Sequence, residues 1–298
     1  MTQPGRHRGG GGSSPLGAVG MSAAGVVAGF VIVALVVFFG VKVFGHDGND
    51  PTASSPTNSQ GANGTGGTGA AVIPVPDVPK SVLAKLPRAT TDGKVSKAPI
   101  DLTSASDGRT IEVAQDMPAF AEPGADPIAV IPDKQIGSTT WLPVIRTQAG
   151  WAQVRLPSRP NGATAWIPEA GLGQARTKWA VTVKLDKGTI TVTHDGTSKG
   201  TWPIGQGKPS TPTPVGQTFL LSGFVDPEQN FSPVIYALGA HSDTLDSYGG
   251  GPGTVAVHGW PTEDGRNGHV SHGCVRVPDA ALKLFAKLPT GTPVDIVA

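Results

Sequence analysis

The residues with the clearest chemical potential lie near the C-terminal end of the chain, where His258-Gly259 is followed by Ser271-His272-Gly273-Cys274. Cys274 is the single cysteine among 298 residues, so it cannot form a disulfide within the chain. Buried, inert cysteines are common in proteins in general. The neighbours of Cys274, however, are polar and turn-prone, unlike an apolar core segment. The pattern therefore favours a reactive thiol.

A thiol with the ordinary pKa of about 8.5 needs a neighbouring base, and imidazole suits that task near neutral pH. Three histidines are close in sequence, namely His258, His269 and His272. The side chain of His272, two residues from Cys274, would point to the same side of an extended segment. His258 would reach Cys274 only through folding, so spacing alone does not choose between them. A zinc site made from the same residues is the lesser alternative, because no CxxC or HExxH spacing is present.

Alternating strands are predicted around this motif. Residues 179–185 and 188–193 have the pattern of a β-hairpin joined through Asp186-Lys187-Gly188. The strand predicted at 255–257 ends directly before His258. Apolar residues recur on one face of a predicted helix after Cys274, and the chain closes with a strand at 292–297. The other predicted strands lie at 202–204, 218–221 and 234–237. The apolar face of the predicted helix consists of Ala281, Leu284, Phe285 and Leu288.

The middle of the chain, residues 111–173, predicts a small β-barrel made of short strands separated by turn residues. These strands lie at 111–113, 128–130, 141–145, 151–155 and 165–167. Gly150-Trp151-Ala-Gln-Val154 and Trp166-Ile167-Pro168 resemble segments of a bacterial Src-homology-3-like (SH3-like) barrel. Such a module would either bind cell-wall material or act as a packing and spacing domain. Residues 81–110 remain unassigned, apart from a short helix at 81–86 that Pro87 would end.

The N-terminal part of the chain predicts a membrane anchor. Residues 21–41 form an apolar run, and a bilayer core requires roughly 20 such residues in a helix. Arg6 and Arg8 precede the run, so residues 1–20 are expected in the cytoplasm, 21–44 in the membrane and the remainder outside. The alternative is a cleaved secretory signal, but its apolar core is usually only about 7 to 15 residues long. Residues 45–80, rich in Gly, Ser, Thr and Pro, predict a flexible, disordered linker.

Composition limits the classes of fold and partner. The chain contains 42 Gly and 28 Pro, which favours turns and short strands over long helices. Lys and Arg total 23 against 22 Asp and Glu, so bulk charge gives no reason to expect a nucleic-acid partner. We therefore expect a mainly β protein that does not bind nucleic acid.

The C-terminal residues resemble the bacterial L,D-transpeptidases. That family's signature is a His-Gly pair, a loop, and then Ser-His-Gly-Cys with Arg two residues later, which here is completed by Arg276. Two further segments, 211–219 with its Thr-Pro-Thr-Pro sequence and the closing strand at 291–296, also match, and the resemblance spans residues 177–298. It implies an L,D-transpeptidase-type β-sandwich catalytic domain with one or two short helices, preceded by the SH3-like barrel, the linker and the anchor.

The resemblance also implies residue roles. Cys274 would be the nucleophile and His258 the base, oriented by the backbone carbonyl of Gly259. Backbone amides around His272, Gly273 and Cys274 would form the oxyanion hole. Two further roles, for Ser271 and Arg276, would be substrate contacts; the alternatives are a local turn hydrogen bond for Ser271 and a surface ion pair for Arg276. No metal and no cofactor are implied.

The implied reaction is cross-linking of peptidoglycan stem peptides, in cell-wall biosynthesis and the control of cell shape. A cysteine acyl-enzyme would form with release of D-alanine, and carbapenems are the inhibitors expected of such a site. Water as the acceptor would make the protein an L,D-carboxypeptidase. A cysteine endopeptidase of the cell-wall hydrolase type would have its cysteine long before its histidine, whereas here His258 comes first. The non-enzymatic alternative is an anchored, non-catalytic cell-wall-binding protein.

Overall fold

The computed structural model describes residues 71–249 and 251–298. The predicted cytoplasmic tail, the membrane helix and most of the linker lie outside these residues. Within the described part of the chain, no helix is both long enough and apolar enough to cross a membrane.

The first sheet, formed by strands β1 to β8, follows a four-residue helix, α1 (Lys80–Leu83). All its pairs are antiparallel, and its main path runs in the order β3-β2-β7-β6-β5-β1-β8, with β4 paired to β5. Every strand predicted between 111 and 173 lies inside an observed one. The strands are β1 (Arg109–Val113), β2 (Met117–Phe120), β3 (Pro127–Ile131), β4 (Lys134–Gln135), β5 (Ser138–Gln148), β6 (Trp151–Arg155), β7 (Thr164–Pro168) and β8 (Gln174–Arg176).

Three strands of the first sheet were not predicted from the sequence. Strand β2 contains Pro118, which cannot donate a ladder hydrogen bond and therefore weakens the strand signal. Strand β4 has only two residues, and β8 lies beyond the predicted boundary at 173. The SH3-like character of this part stays a prediction, because no comparison tests it.

The unassigned segment 81–110 packs against the first sheet. Ala89, Val95 and Ala98 are buried in its core. The Ala89 amide donates to the Val130 carbonyl at 2.7 Å, and the Thr164 amide donates to the Pro99 carbonyl at 2.8 Å. Backbone bonds to the first sheet, together with short-range turn bonds such as Gly93 N–H to the Thr90 carbonyl, satisfy polar groups of this irregular segment.

The second sheet, strands β9 to β18, has the order β11-β10-β9-β18-β13-β14-β15-β17-β12-β16. It is mixed, since β15 with β17, β12 with β16, and β18 with β9 are parallel pairs. Its strands are β9 (Trp179–Lys184), β10 (Thr189–His194), β11 (Thr197–Pro203), β12 (Gly205–Gly207), β13 (Gly216–Phe224), β14 (Ile235–His241), β15 (Thr254–Gly259), β16 (Gly268–Ser271), β17 (Val275–Val277) and β18 (Pro293–Val297).

Strand β13 joins the two halves of this sheet. Its first residues pair with β18, and its later residues pair with β14. Apolar residues of both halves face one shared core, onto which helix α2 (Asp279–Phe285) packs with Ala281, Leu282 and Phe285 buried. The protein is thus mainly β with sandwich-like sheets, as expected, and the predicted helix after Cys274 is present.

Strand β13 of the second sheet contributes side chains to the cores of both sheets. Successive side chains on a strand point to opposite faces. Phe219 and Leu221 accordingly pack into the core of the first sheet, whereas Leu220, between them, packs into the core of the second. Both sheets belong to one compact unit, so the first sheet packs against the part of the chain that carries the His-Cys motif.

Candidate active site

Two neighbouring parallel strands bring His258 and Cys274 together. In the register of β15 and β17, Val257 lies beside Val275 and His258 beside Arg276. Cys274 directly precedes β17, so its place in the register is next to Ala256. Both His258 and Cys274 line one pocket of about 720 Å³. Folding therefore supplies the proximity that the sequence spacing could not establish.

The ring of His258 is held by the backbone of its neighbour. Its Nδ1 lies 2.7 Å from the carbonyl oxygen of Gly259. Because a carbonyl can only accept, Nδ1 carries the proton and Nε2 keeps its lone pair. The Gly259 amide donates to Ser232 Oγ at 2.7 Å, and this hydroxyl donates to the Val234 carbonyl at 2.6 Å. A carbonyl thus orients the imidazole, as the family resemblance implied.

Burial makes His258 a weak base at rest. The side chain is 7% exposed, and the Phe231 ring packs 4.9 Å from it. Burial lowers the pKa of His258 to about 4; the bond to Gly259 opposes this shift, and the positive charge of Arg276 adds to it. At neutral pH the imidazole is therefore uncharged and able to accept a proton.

The thiol of Cys274 is also neutral at rest. Burial raises its pKa, while a hydrogen bond from the Ala256 amide and the charge of Arg276 act in the opposite direction. A raised thiol pKa beside a lowered imidazole pKa means that no thiolate–imidazolium pair is formed in advance. A nucleophilic attack by this sulfur would therefore require a base to take the thiol proton as the bond forms, and His258 is placed in the same pocket.

The turn that carries Cys274 is fixed by side-chain hydroxyls. Ser271 Oγ donates to the Cys274 carbonyl at 2.6 Å and accepts from the Gly273 amide at 3.1 Å. Thr213 Oγ1 donates to the Gly273 carbonyl at 2.9 Å, and Thr211 Oγ1 donates to the Ser271 carbonyl at 3.3 Å. The Thr-Pro-Thr-Pro segment, which the sequence marked only as a family resemblance, therefore supports the nucleophile turn.

The predicted oxyanion-hole residues have different surroundings. The Gly273 amide is bonded to Ser271, which leaves the amides of His272 and Cys274 as the better donors to a substrate oxyanion. Gly259 has its amide bonded to Ser232 and its carbonyl bonded to His258, so its role is to orient the base. Gly273 adopts a φ of 120°, a conformation that L side chains rarely adopt.

The substrate contacts of Ser271 and Arg276 stay a prediction, which the positions of the two side chains do not favour. Ser271 is 1% exposed and makes the local turn hydrogen bonds described above. Arg276 is 9% exposed, with its guanidinium carbon 3.5 Å from the centre of the Trp260 ring. Neither side chain belongs to the pocket wall. Arg276 instead acts on the dyad through its charge, which lowers the pKa of both His258 and Cys274.

Several pocket residues were not predicted from the sequence. Phe231 covers His258, and Tyr248 stacks on His272 with ring centres 4.6 Å apart. Thr91, in segment 81–110, and Ile136, between β4 and β5, also line the pocket. No signal along the chain could place them, since they approach the site only through the packing of the two sheets.

The histidines near Cys274 do not converge on a metal. His269 Nδ1 lies 3.0 Å from the Gly207 carbonyl, and the His272 ring lies against Tyr248. Across residues 71–249 and 251–298, no group of three or more His, Cys, Asp or Glu side chains is placed to hold a metal ion.

A thiol and an uncharged imidazole, carried by adjacent parallel strands and lining one pocket, are the groups that nucleophilic acyl transfer uses. The model of the YkuD family, the L,D-transpeptidase catalytic domain, matches residues 178–296. The matched segment contains both His258 and Cys274, so this part of the chain is similar to an L,D-transpeptidase catalytic domain.

Curated and solved relatives were also found. L,D-transpeptidase 1 of Mycobacterium tuberculosis is 32% identical over 120 residues, covering 37% of this chain and 46% of that protein. The chain thus spans about half the length of the curated relatives it matches.

Among solved structures, an L,D-transpeptidase of M. tuberculosis H37Rv is 19% identical with a TM-score of 0.36, covering 47% of this chain and 74% of that one. One from Mycobacterium smegmatis is 20% identical with a TM-score of 0.34, covering 69% and 89%. The similarity to the L,D-transpeptidases is therefore carried by the two sequence matches.

Proposed function

We propose that the protein is a peptidoglycan L,D-transpeptidase that works through a cysteine acyl-enzyme. The observation that carries this proposal is the state of His258, whose proton is held on Nδ1 by the Gly259 carbonyl, which leaves the Nε2 lone pair free in a residue that lines the same pocket as Cys274. This arrangement lies within the segment that matches the L,D-transpeptidase catalytic domain.

In the first step, Cys274 attacks the carbonyl carbon at the L-centre of the third residue of a donor stem peptide. His258 Nε2 takes the thiol proton as the carbon–sulfur bond forms, so two neutral groups become one imidazolium and one oxyanion. The amides of His272 and Cys274 are the donors best placed for that oxyanion. Collapse of the intermediate breaks the amide bond, and the imidazolium returns its proton to the leaving amine of D-alanine.

In the second step, the side-chain amine of a diamino acid on a neighbouring stem attacks the thioester. His258 takes a proton from that amine, the carbon–sulfur bond breaks, and the thiolate regains a proton from the imidazolium. Attack by water instead gives the L,D-carboxypeptidase reaction. Three carboxylates, Asp92, Asp226 and Glu228, line the pocket, and among the described residues no Lys or Arg lines it. This charge balance favours an amine acceptor over an anionic one.

We extend the proposal to the location of the protein. The apolar run at 21–44 anchors the chain in the cell membrane with residues 1–20 in the cytoplasm, and the linker at 45–80 carries the catalytic unit on the cell-wall side. The barrel predicted at 111–173 is then an SH3-like spacing domain. Protease added outside intact cells should degrade the catalytic unit of the full-length protein. If the catalytic unit survives, it lies on the cytoplasmic side and the proposed location is wrong.

The chemistry is tested by intact-mass spectrometry of the protein after exposure to a carbapenem. We expect a covalent adduct on the wild-type chain and none on Cys274→Ala, which has no other thiol. His258→Gln should slow adduct formation by at least a hundredfold, within the range of rate gains from general base catalysis. His269→Gln is the matched control and should react at the wild-type rate, because His269 bonds to the Gly207 carbonyl outside the pocket.

Absence of an adduct on folded wild-type protein would refute the acyl-enzyme proposal and favour the non-catalytic wall-binding alternative. Tetrapeptide stems then distinguish the two reactions. Cross-linked dimers identify a transpeptidase, whereas tripeptide with released D-alanine and no dimer identifies a carboxypeptidase.

A further inference from the structure

The loop between β14 and β15 forms one wall of the active-site pocket. We call residues 242–249 and 251–253 the flap. Tyr248, Gly249, Gly251 and Pro252 of the flap line the pocket. The ring of Tyr248 also stacks on His272, two residues from Cys274, at an interplanar angle of 27°. The position of the flap therefore shapes the space in which a substrate would approach the thiol.

The flap has few bonds of its own. The Ser242 amide donates to the Gly253 carbonyl at 2.9 Å and closes the base. Tyr248 and Gly251 exchange two backbone bonds of 3.0 Å near the tip. Tyr248 is 51% exposed, so its burial adds little to hold the flap in place. Between base and tip, Ser242 Oγ accepts from the amides of Thr244 and Leu245 at 3.3 and 3.2 Å, but these local bonds do not tie the two sides of the flap together.

A tie between the two sides comes from Arg159, in the loop that joins β6 and β7 of the first sheet. Its Nη1 donates to the Ser242 carbonyl at 3.0 Å. Its Nη2 donates to the carbonyls of Leu245 and Pro252, both at 2.9 Å. One planar guanidinium thus ties together both ends and the middle of the flap, a task for which its fixed fork of donors is suited.

Asn161, two residues further on, fixes the point where the flap begins. Its Oδ1 accepts from the His241 amide at 2.8 Å, and its Nδ2 donates to the His241 carbonyl at 2.8 Å. The same Nδ2 lies 2.8 Å from Asp243 Oδ1. The carboxamide therefore pairs with the backbone of β14 as a neighbouring strand would.

Close packing at Gly253 shows how tightly the guanidinium is seated. A Cβ at this position would meet the Leu245 carbonyl oxygen first and then Arg159 Nη2 at 3.1 Å, and Gly253 has a φ of +70°. The guanidinium of Arg159, which we call the clamp, and the flap backbone therefore fit together without room for a side chain between them.

We propose that Arg159, with Asn161, is a positioning residue for the reaction: it holds the flap over the pocket, and the first sheet is thereby part of the apparatus that orders the active site. This inference rests on the proposed function for its link to acylation. The clamp itself is a separate claim that can be tested without activity.

The test compares Arg159→Met, which keeps the length of the side chain but removes its donors, with Arg159→Lys and with the wild-type full-length chain. Arg146→Met is the matched control, because Arg146 lies on β5 of the same sheet with 59% of its side chain exposed and its guanidinium 3.8 Å from Asp101. Hydrogen exchange of peptides covering the flap, the melting temperature and the carbapenem acylation rate against pH are measured for each.

We expect Arg159→Met to raise exchange in the flap at least tenfold while peptides from β5 to β7 stay as in wild type. Its acylation rate should fall at least fivefold, with the midpoint of the acid limb unchanged because His258 is untouched. Arg159→Lys should recover part of both effects, and Arg146→Met should match wild type.

Three results would overturn the proposal. Flap exchange equal to wild type in Arg159→Met would show that no clamp exists. Raised flap exchange with an unchanged acylation rate would show that the flap position does not matter to the reaction. A rise in exchange across the whole chain would show a general loss of structure. If wild type itself forms no adduct, the proposed function fails, while flap exchange still decides the clamp.

Discussion

The lowered pKa of His258 predicts an unusual pH dependence of acylation. Only the neutral imidazole can accept the thiol proton, so the acid limb of the acylation rate should follow its titration. Burial is the largest cause of a pKa of about 4, and the Phe231 ring, 4.9 Å away, is part of that burial. The perturbation is Phe231→Ala, which opens the imidazole to water.

The magnitude follows from the neutral fraction of His258. With the pKa at about 4, about nine tenths of the imidazole is still neutral at pH 5, whereas with an ordinary pKa of about 6.5 only about 3% would be. Acylation at pH 5 should therefore keep about nine tenths of its pH 7 rate in wild type. Complete return to the ordinary pKa would reduce it to roughly one twenty-fifth. Phe231→Ala should lie between these limits.

The assay is stopped-flow acylation by a carbapenem from pH 4.5 to 7, with mixing times short enough to avoid acid decay of the drug. The thiol stays protonated across this range because its pKa is raised, so it does not distort the limb. Phe224→Ala is the control, since Phe224 lines the same pocket but is not the ring that packs on His258. A wild-type rate that drops more than tenfold from pH 7 to pH 5 would refute the burial argument. An unshifted limb in Phe231→Ala would show that this ring does not set the pKa.

Two further substitutions test the support of the dyad. Ser232→Ala leaves the buried Gly259 amide without its acceptor and should lower the free energy of unfolding in urea by about 1 to 3 kcal/mol. The control, Ser198→Ala on the exposed face of β11, should lower it by almost nothing. Equal losses of stability in the two variants would contradict the reasoning. Gly273→Ala meets no atom closer than 3.6 Å but must adopt a φ of 120°, which should cost about 1 to 3 kcal/mol and slow acylation at least tenfold. Gly268→Ala, at a φ of +73° with open space around it, carries similar backbone strain away from Cys274 and should have a smaller effect on acylation; an equal effect would show that general destabilisation, not displacement of the Cys274 turn, slows the reaction.

The strands of both sheets were largely predictable from the sequence, because alternation of apolar and polar residues is a local property of a half-buried strand. The pattern ending at residue 257 predicted a strand leading to His258, and β15 is that strand. The pattern failed where local signals were weak, as in β2 with its internal Pro118 and in segment 81–110, where several backbone hydrogen bonds go to distant residues such as Val130 and Arg159.

The chemical identity of the site was also present in the sequence. A single thiol, nearby histidines and the family resemblance were enough to predict Cys274 and His258 as a dyad, and residues 178–296 match the family to which the motif pointed. The proposed roles of Ser271 and Arg276 depended on where the side chains point. The chain alone could not decide this, since a residue beside a nucleophile can face either the pocket or the interior.

What only the tertiary structure decided is the environment of the dyad. A pKa depends on burial and on charges that lie close in space, and those of His258 come from Phe231 and Arg276, far apart in the chain. The hydrogen bonds between Arg159 and the flap carbonyls also depend on tertiary structure, because they join residues of the two sheets, whose cores both contain side chains of β13. Residue types and local periodicity determine which chemistry is available, whereas the long-range packing of apolar faces determines which groups share a site and in which protonation state.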